Sequence, residues 1–394
     1  MAKRKKSSKK YYYAFVAVVL IIVLAVTLLD YKFRFGIVNW DQIISSSESE
    51  SESFVYTGEN KDKTKNVDEF GNLTITFIDV GQGDAILIRF PDGTNMLVDS
   101  GDSGNGDELD KHLTVNGQKL GLDFVVATHS DADHIGSISH VYDNYNVKYT
   151  FRPYAKSTFS NTQFDGAYNN GVALISSKTY ANFLTKIIDE NCGWEYFTDS
   201  SDFTYQYVKQ NESIDLKVDF FMPYVQSVED YQQFGNDANE ISAIIMIEYA
   251  GVKILLTGDI ENDAENALVA CFEKEGVNSN LADCSILKVA HHGSDSSSQA
   301  SFINLVKPEY SVISCGIGNK YNHPSGDILD FLFANSTVLR TDLQGDITFT
   351  ITPDGDIEKS TQYTCFNNLL FYDPSDVELS SMAETIKNYK EQNS

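Results

Sequence analysis

The stretch Asp123-Phe124-Val125-Val126-Ala127-Thr128-His129-Ser130-Asp131-Ala132-Asp133-His134 decides how this chain is read. Its first part is an apolar, β-branched run that reads as a buried strand. The chain then delivers two imidazoles and two carboxylates between positions 129 and 134. Packed that tightly, such groups strand charge unless a cation neutralises them. N-capping of a following helix accounts for one aspartate and leaves the other aspartate and both histidines unexplained. His129, Asp131, Asp133 and His134 are therefore candidate metal ligands, with Asp131 also a candidate participant in catalysis.

Working outward, only seven histidines occur, and four of them fall in two clusters that each follow an apolar strand. The second cluster is Lys288-Val289-Ala290-His291-His292-Gly293-Ser294, where the glycine allows close backbone approach. Ligands gather past strand carboxyl ends in open α/β sheets, so both positions fit a site. A third piece, Ile254-Leu255-Leu256-Thr257-Gly258-Asp259, is a strand ending in a carboxylate. Alone it reads as a turn; with the two clusters it supplies a carboxylate able to bridge two ions. Lys288 and Ser294 are candidate phosphate contacts, although a lysine in an apolar strand also fits a snorkelling side chain. His323, in Asn319-Lys320-Tyr321-Asn322-His323-Pro324, is a candidate proton donor to a leaving group. His112 and His140 read as structural.

The domain plan follows from composition shifts. Residues 1–10 are basic, and residues 11–29 run apolar without a charge. A helix of that length rises roughly 28 Å, enough to cross a bilayer core. The basic flank predicts a cytoplasmic N-terminus and an extracytoplasmic remainder of a single-pass membrane protein. A cleaved signal peptide is the alternative, but no small-x-small site precedes Asp30. Residues 30–71, with SSSESESES at 45–53, read as an acidic stalk that cannot bury enough apolar area to fold. From residue 72 to 360, short β-branched runs alternate with helical stretches at 134–145, 177–190, 261–275 and 299–306, which predicts a layered α/β domain. Residues 154–211, rich in Tyr, Asn, Ser and Phe, read as an insertion whose Tyr154, Phe159, Phe164 and Tyr168 are candidate stackers on bases or sugars, or simply its own small core. Residues 361–394 read as a C-terminal tail ending in one exposed helix.

A formal net charge of −26 argues against bulk affinity for DNA, since phosphate binding ordinarily draws on a basic face. A local basic patch or bound cations still serve a single phosphodiester. The five cysteines show no zinc-ribbon spacing, so structural zinc is not expected.

Phe77-Ile78-Asp79-Val80-Gly81-Gln82-Gly83-Asp84-Ala85, Leu97-Val98-Asp99-Ser100-Gly101, Thr128 to Gly136, Leu255 to Asp259 and Lys288 to Ser294 stand in this order between residues 77 and 294. Together they resemble a metallo-β-lactamase-fold hydrolase, and the GQGDA segment narrows the resemblance to the C-terminal domain of ComEC-type DNA-uptake proteins. The resemblance implies an αββα sandwich holding two divalent metal ions. It implies His129 and position 131 on the first ion, Asp133, His134 and His292 on the second, and Asp259 between them. Asp99 would orient the ligand loop from behind, with Asp84, Asn239, His291 and Ser294 as supporting residues. Two departures stand out. Position 131 is Asp where the wider superfamily has His, and no histidine lies between His140 and His291, which leaves Asp237 and Asn239 as stand-ins for the family's middle ligand. The first site is therefore oxygen-rich, which moves the preference from zinc toward manganese.

The expected reaction is metal-assisted hydrolysis of a phosphodiester, with single-stranded DNA as a candidate substrate. Two other readings stand beside it. One is a hydrolase of a small cell-envelope phosphoester, lactone or β-lactam; the other is a non-catalytic binding protein with a degenerate site.

Overall fold

Two eight-stranded sheets stack face to face, and helices cover the outer face of each. The computed structural model describes residues 62–153, 155–157, 173–189, 192–196, 202–221, 237–275 and 281–393. In the first sheet the strand order is Gly193–Tyr196, Val147–Arg152, Leu122–Val126, Asn95–Val98, Ile86–Arg89, Leu73–Phe77, Ile347–Ile351, Ile357–Thr361. In the second it is Asp62–Asn66, Phe203–Lys209, Glu212–Phe221, Ile244–Tyr249, Val252–Leu256, Ile286–Lys288, Tyr310–Ile313, Thr337–Arg340.

Strand periodicity explains the layers. On Ile244–Tyr249, Ile245, Ile247 and Tyr249 point between the sheets, while Ile244 and Met246 meet the outer helices. Likewise Phe124 and Val126 enter the central layer, and Val125 and Ala127 face the helices of the other side. Strands buried on both faces are continuously apolar, which is why these runs were visible in sequence. Each fully buried side chain of this kind contributes roughly 1.5–3 kcal/mol. The expected four-layer α/β architecture is thus present.

Most expected helices form as Lys178–Asp189, Asn262–Glu275 and Ala300–Val306. The one expected over 134–145 is instead two short helices, Ala132–Ile135 and Ile138–Asn144. Between them Ser137 Oγ donates to the Asp102 carbonyl at 2.6 Å and accepts from Asn105 N at 3.0 Å, tying the break to the preceding loop.

Three expected boundaries shift. The polar residues Asp62–Asn66, read as stalk, form an edge strand parallel to Phe203–Lys209. Charged residues suit a sheet edge, and here Lys65 pairs with Asp92 and lies 3.8 Å from the Tyr205 ring centroid. The described parts of the supposed insertion give strands to both sheets, Gly193–Tyr196 to one and Phe203–Lys209 to the other. The supposed tail is docked: Leu379 and Ile386 of the helix Val377–Asn393 pack with Leu343, Phe366 and Leu369. Lys390 anchors that helix by donating to the carbonyls of Thr341 and Asp342 and by pairing with Asp79.

The expected membrane segment at 11–29, the stalk up to residue 61, and Tyr154, Phe159, Phe164 and Tyr168 lie outside the described residues. Among the described residues no helix is long and apolar enough to cross a membrane. Cys284, Cys315 and Cys365 are free thiols.

Candidate metal centre

Asn95–Val98 and Leu122–Val126 run parallel and adjacent, so their carboxyl ends leave the sheet side by side. Asp99 follows the first and Thr128 the second. The Asp99 carboxylate accepts from Thr128 N at 2.8 Å and Thr128 Oγ1 at 2.6 Å, which fixes the start of the His129–His134 loop. It also lies 2.7 Å from His134 Nδ1. An ionised carboxylate only accepts, so Nδ1 carries the proton and Nε2 keeps a free lone pair. The loop is closed from the other side by Gly83: a Cβ there would lie 2.1 Å from the Asp133 carbonyl oxygen, and Asp84 N donates to that same oxygen at 3.1 Å.

The second sheet presents its residues the same way. Val252–Leu256, Ile286–Lys288 and Tyr310–Ile313 are parallel, and Asp259, His291, His292 and Ser314 follow their carboxyl ends. His292 Nδ1 donates to the Ser314 carbonyl at 2.8 Å, which again leaves Nε2 as the free nitrogen. His291 and His292 are consecutive left-handed residues, φ 46° and 55°. Such strain costs on the order of 1–3 kcal/mol per residue and persists where surrounding structure enforces it. Gly293 completes the turn at φ 80°, where a Cβ would sit 2.6 Å from Pro324 Cβ.

The two sheet ends meet. Asp259 Oδ2 lies 3.2 Å from His134 Nε2 and 3.2 Å from His292 Nε2, and Asp133 Oδ2 is 3.4 Å from His292 Nε2. One ligand atom each from His129, His134 and Asp259 fall within 4.8 Å of one another, as do those of Asp133, His134 and His292. His129 Nε2, His134 Nε2, His292 Nε2 and Asp259 Oδ1 are all buried without a hydrogen-bond partner in the protein. Orphaned buried atoms are costly. Four converging on one spot, all of types that ligate divalent cations, fit metal ions there.

Electrostatics agree. Burial opposes a charged His134, yet the Asp259 and Asp99 carboxylates outweigh it and hold its pKa well above the usual histidine value. Burial likewise opposes a charged His292, but Asp259 and Asp133 push it up to about 9. At His129 burial and the neighbouring His134 charge outweigh the carboxylates of Asp259, Asp99 and Asp133 and push the pKa down to about 4. Asp259, despite burial, is held well below the carboxylate range by His134 and His292. Without a metal, protons take the place of the cation.

Other expected site residues stand differently. Asp131 is partly exposed and outside the converging groups; burial and Asp133 raise its pKa. Lys288, expected to meet substrate, is fully buried, and its ammonium bonds Asp84 Oδ2 at 2.8 Å and the Val289 carbonyl at 2.9 Å. Two of its three donors are thus used inside the protein, and burial keeps the third from solvent. Asp84, expected as a supporting residue, lies through Oδ1 3.5 Å from His292 Nδ1. Asn239 gives its amide to Glu261 at 3.2 Å rather than to the centre, because Glu261 lies between, and Asp237 is exposed. Ser294 Oγ pairs with Ser296 Oγ at 2.8 Å. His291 Nδ1 pairs with Glu261 at 2.9 Å, and its Nε2 is 3.9 Å from Asp259. His323 stacks beside His292 with centroids 6.5 Å apart. Burial and the imidazoles of His291 and His292 push its pKa down to about 4, so at neutral pH it lacks the extra proton expected of a donor to a leaving group. Sequence reasoning missed Glu261 and Ser314. Glu261, two positions past the Thr257-Gly258-Asp259 run, was the more findable, whereas the Ser314 contribution is a backbone carbonyl with no sequence signal.

Residues 78–211 match the Metallo-beta-lactamase superfamily profile, a span that includes Asp84, Asp99 and the whole His129–His134 loop. Over those residues the chain is similar to the metallo-β-lactamase superfamily. Its resemblance to the ComEC type is carried by curated relatives. It is 26% identical over 295 residues to ComE operon protein 3 of Bacillus subtilis (strain 168), covering 70% of this chain and 32% of that protein. It is 36% identical over 114 residues to Competence protein ComA of Neisseria gonorrhoeae, covering 29% and 16%. The chain spans a third or less of the length of these relatives. Among solved structures it is similar to the metallo-beta-lactamase fold protein YhfI from Bacillus subtilis, at 10% identity and TM-score 0.39, covering 73% of this chain and 100% of that one. A long form RNase Z from yeast gives 10% identity and TM-score 0.40, covering 74% and 50%. Asp259, His292 and His323 lie beyond the matched span and join it only in three dimensions.

Proposed function

We propose that this chain is a metal-dependent phosphodiesterase that cleaves single-stranded nucleic acid on the outer side of a membrane. The observation that carries the reading is the convergence of His129 Nε2, His134 Nε2, His292 Nε2 and Asp259 Oδ1, buried and unpartnered, beside the partly exposed Asp131 and Asp133. Two divalent ions, manganese or zinc, would be held among His129, Asp133, His134, His292 and Asp259, with His134 Nε2 serving one of them and Asp131 at the rim. Bound there, they would supply Lewis-acid stabilisation of charge building on phosphoryl oxygens and activation of water.

The chain's own residues prepare that chemistry. Asp99 and the Ser314 carbonyl hold His134 and His292 in the tautomer that turns Nε2 inward. His323 Nδ1 is buried without a partner in the protein and is free to accept a hydrogen bond from substrate or water.

Relatives named for competence and recombination support a DNA-related substrate. The basic residues 1–10 followed by the apolar residues 11–29 support an anchored, extracytoplasmic placement. A small envelope phosphoester is the second reading, favoured by the net charge of −26. The test uses the full chain, stripped and reloaded with manganese or zinc, assayed on single-stranded DNA and on bis-p-nitrophenyl phosphate, with metal content read by elemental analysis. Cleavage of DNA that His129→Ala and Asp259→Ala abolish is the expected result. Hydrolysis of the small diester alone moves the substrate to the second reading. Absence of both activity and bound metal leaves a binding protein.

A further inference from the structure

The loop that delivers His323 also delivers an exposed aromatic ring. Tyr321 is 52% exposed, among the largest exposures of any apolar side chain in the described residues. Its ring stacks on His323, with centroids 5.7 Å apart and planes inclined by 24°. His323 in turn stacks on the metal-centre residue His292 at 6.5 Å and 27°. Three rings thus step from solvent to the candidate metal centre.

The presentation is rigid. The Asn319 side chain accepts from Tyr321 N and His323 N, both at 3.1 Å, and donates to the carbonyls of Gly316 at 2.9 Å and His323 at 2.6 Å. A preformed loop loses little entropy when a ligand settles on it. The exposed Lys320 side chain lays its ammonium over the same ring, 4.7 Å from the Tyr321 centroid.

An exposed flat ring next to a cation is the combination that grips unpaired nucleotides, with the base on the ring and a phosphate on the cation. The overall charge of −26 makes the ring matter more, because a chain this acidic draws little affinity from counterion release. Stacking then becomes the main sequence-independent source of affinity. Bases within a duplex already stack on one another, so only a single strand offers a free face.

We propose that Tyr321 is the stacking platform for a nucleobase adjoining the phosphodiester held at the metal centre, and that it makes the site selective for single-stranded nucleic acid. The proposal rests on the phosphodiesterase reading above. It is tested on the metal-loaded full chain with wild type, Tyr321→Ala and Tyr321→Phe, each assayed on a short oligothymidylate and on an abasic strand of equal length. The expected result is that Tyr321→Ala raises KM for the oligothymidylate about tenfold, that Tyr321→Phe restores it, and that KM for the abasic strand is the same in all three. Equal changes on both strands, or no change on either, overturn the platform while leaving the phosphodiesterase reading intact. If wild type cleaves neither strand with any metal, that reading itself fails and the platform with it.

Discussion

Lys288 Nζ and Asp84 Oδ2 lie 2.8 Å apart with both side chains almost wholly buried, directly behind the candidate metal centre. The pair joins the GQGDA loop to the strand that leads into His291 and His292. Removing one member of a buried pair strands the other charge, at a cost of about 3–5 kcal/mol.

Lys288→Met is therefore expected to destabilise the chain by about that amount, and the double variant Lys288→Met with Asp84→Leu is expected to recover much of the loss. Urea unfolding of the metal-stripped variants measures both. A single variant as stable as wild type would mean that removing one partner strands no buried charge.

Metal loading should release protons. In the metal-free site His292 has a pKa of about 9 and His134 stands well above the ordinary value, so near pH 7 both are protonated on nitrogens that a metal needs. Their protonated forms stabilise the metal-free fold fully below the unfolded histidine pKa of about 6.5, and that contribution fades as pH rises through about 9. Metal affinity should climb through the same window. Calorimetry of metal binding in two buffers of different ionisation enthalpy counts the protons; a count of zero at pH 7 would contradict this electrostatic account.

Glu265 offers a pH signature away from the metal. Burial pushes its pKa up to about 8, although Ser298 N and Gln299 N donate to its carboxylate at 2.6 and 2.8 Å. A raised carboxyl pKa means that the folded chain favours the proton. The resulting stability is full below the unfolded value of about 4.3 and is lost as pH rises through about 8. Glu265→Gln should then lose less Tm than wild type between pH 6 and pH 9. Parallel Tm curves for the two proteins across that range would rule the assignment out.

How much was legible depended on where the information sat. The β-branched runs and the His129–His134 and His291–His292 clusters could be read directly, because strand periodicity and ligand chemistry are local properties of the chain. The edge strand Asp62–Asn66 was not legible: its polar residues look like linker until Phe203–Lys209 supplies the backbone partner. Lys288 was misjudged for a related reason. Its neighbours in sequence said strand, but only the arrival of Asp84, some two hundred positions earlier, decides that its charge is spent inside the protein.

By itself, then, the sequence determined the layered α/β class, the resemblance to the metallo-β-lactamase fold and most of the candidate ligands. Tertiary structure alone decided which atoms converge: that Asp259 sits between His134 and His292, that Glu261 takes the amide of Asn239, and that Asp131 stays at the rim. The physical reason is range. Hydrophobic periodicity and residue type act over a few positions, whereas a metal centre is assembled from the carboxyl ends of two sheets whose strands are far apart along the chain.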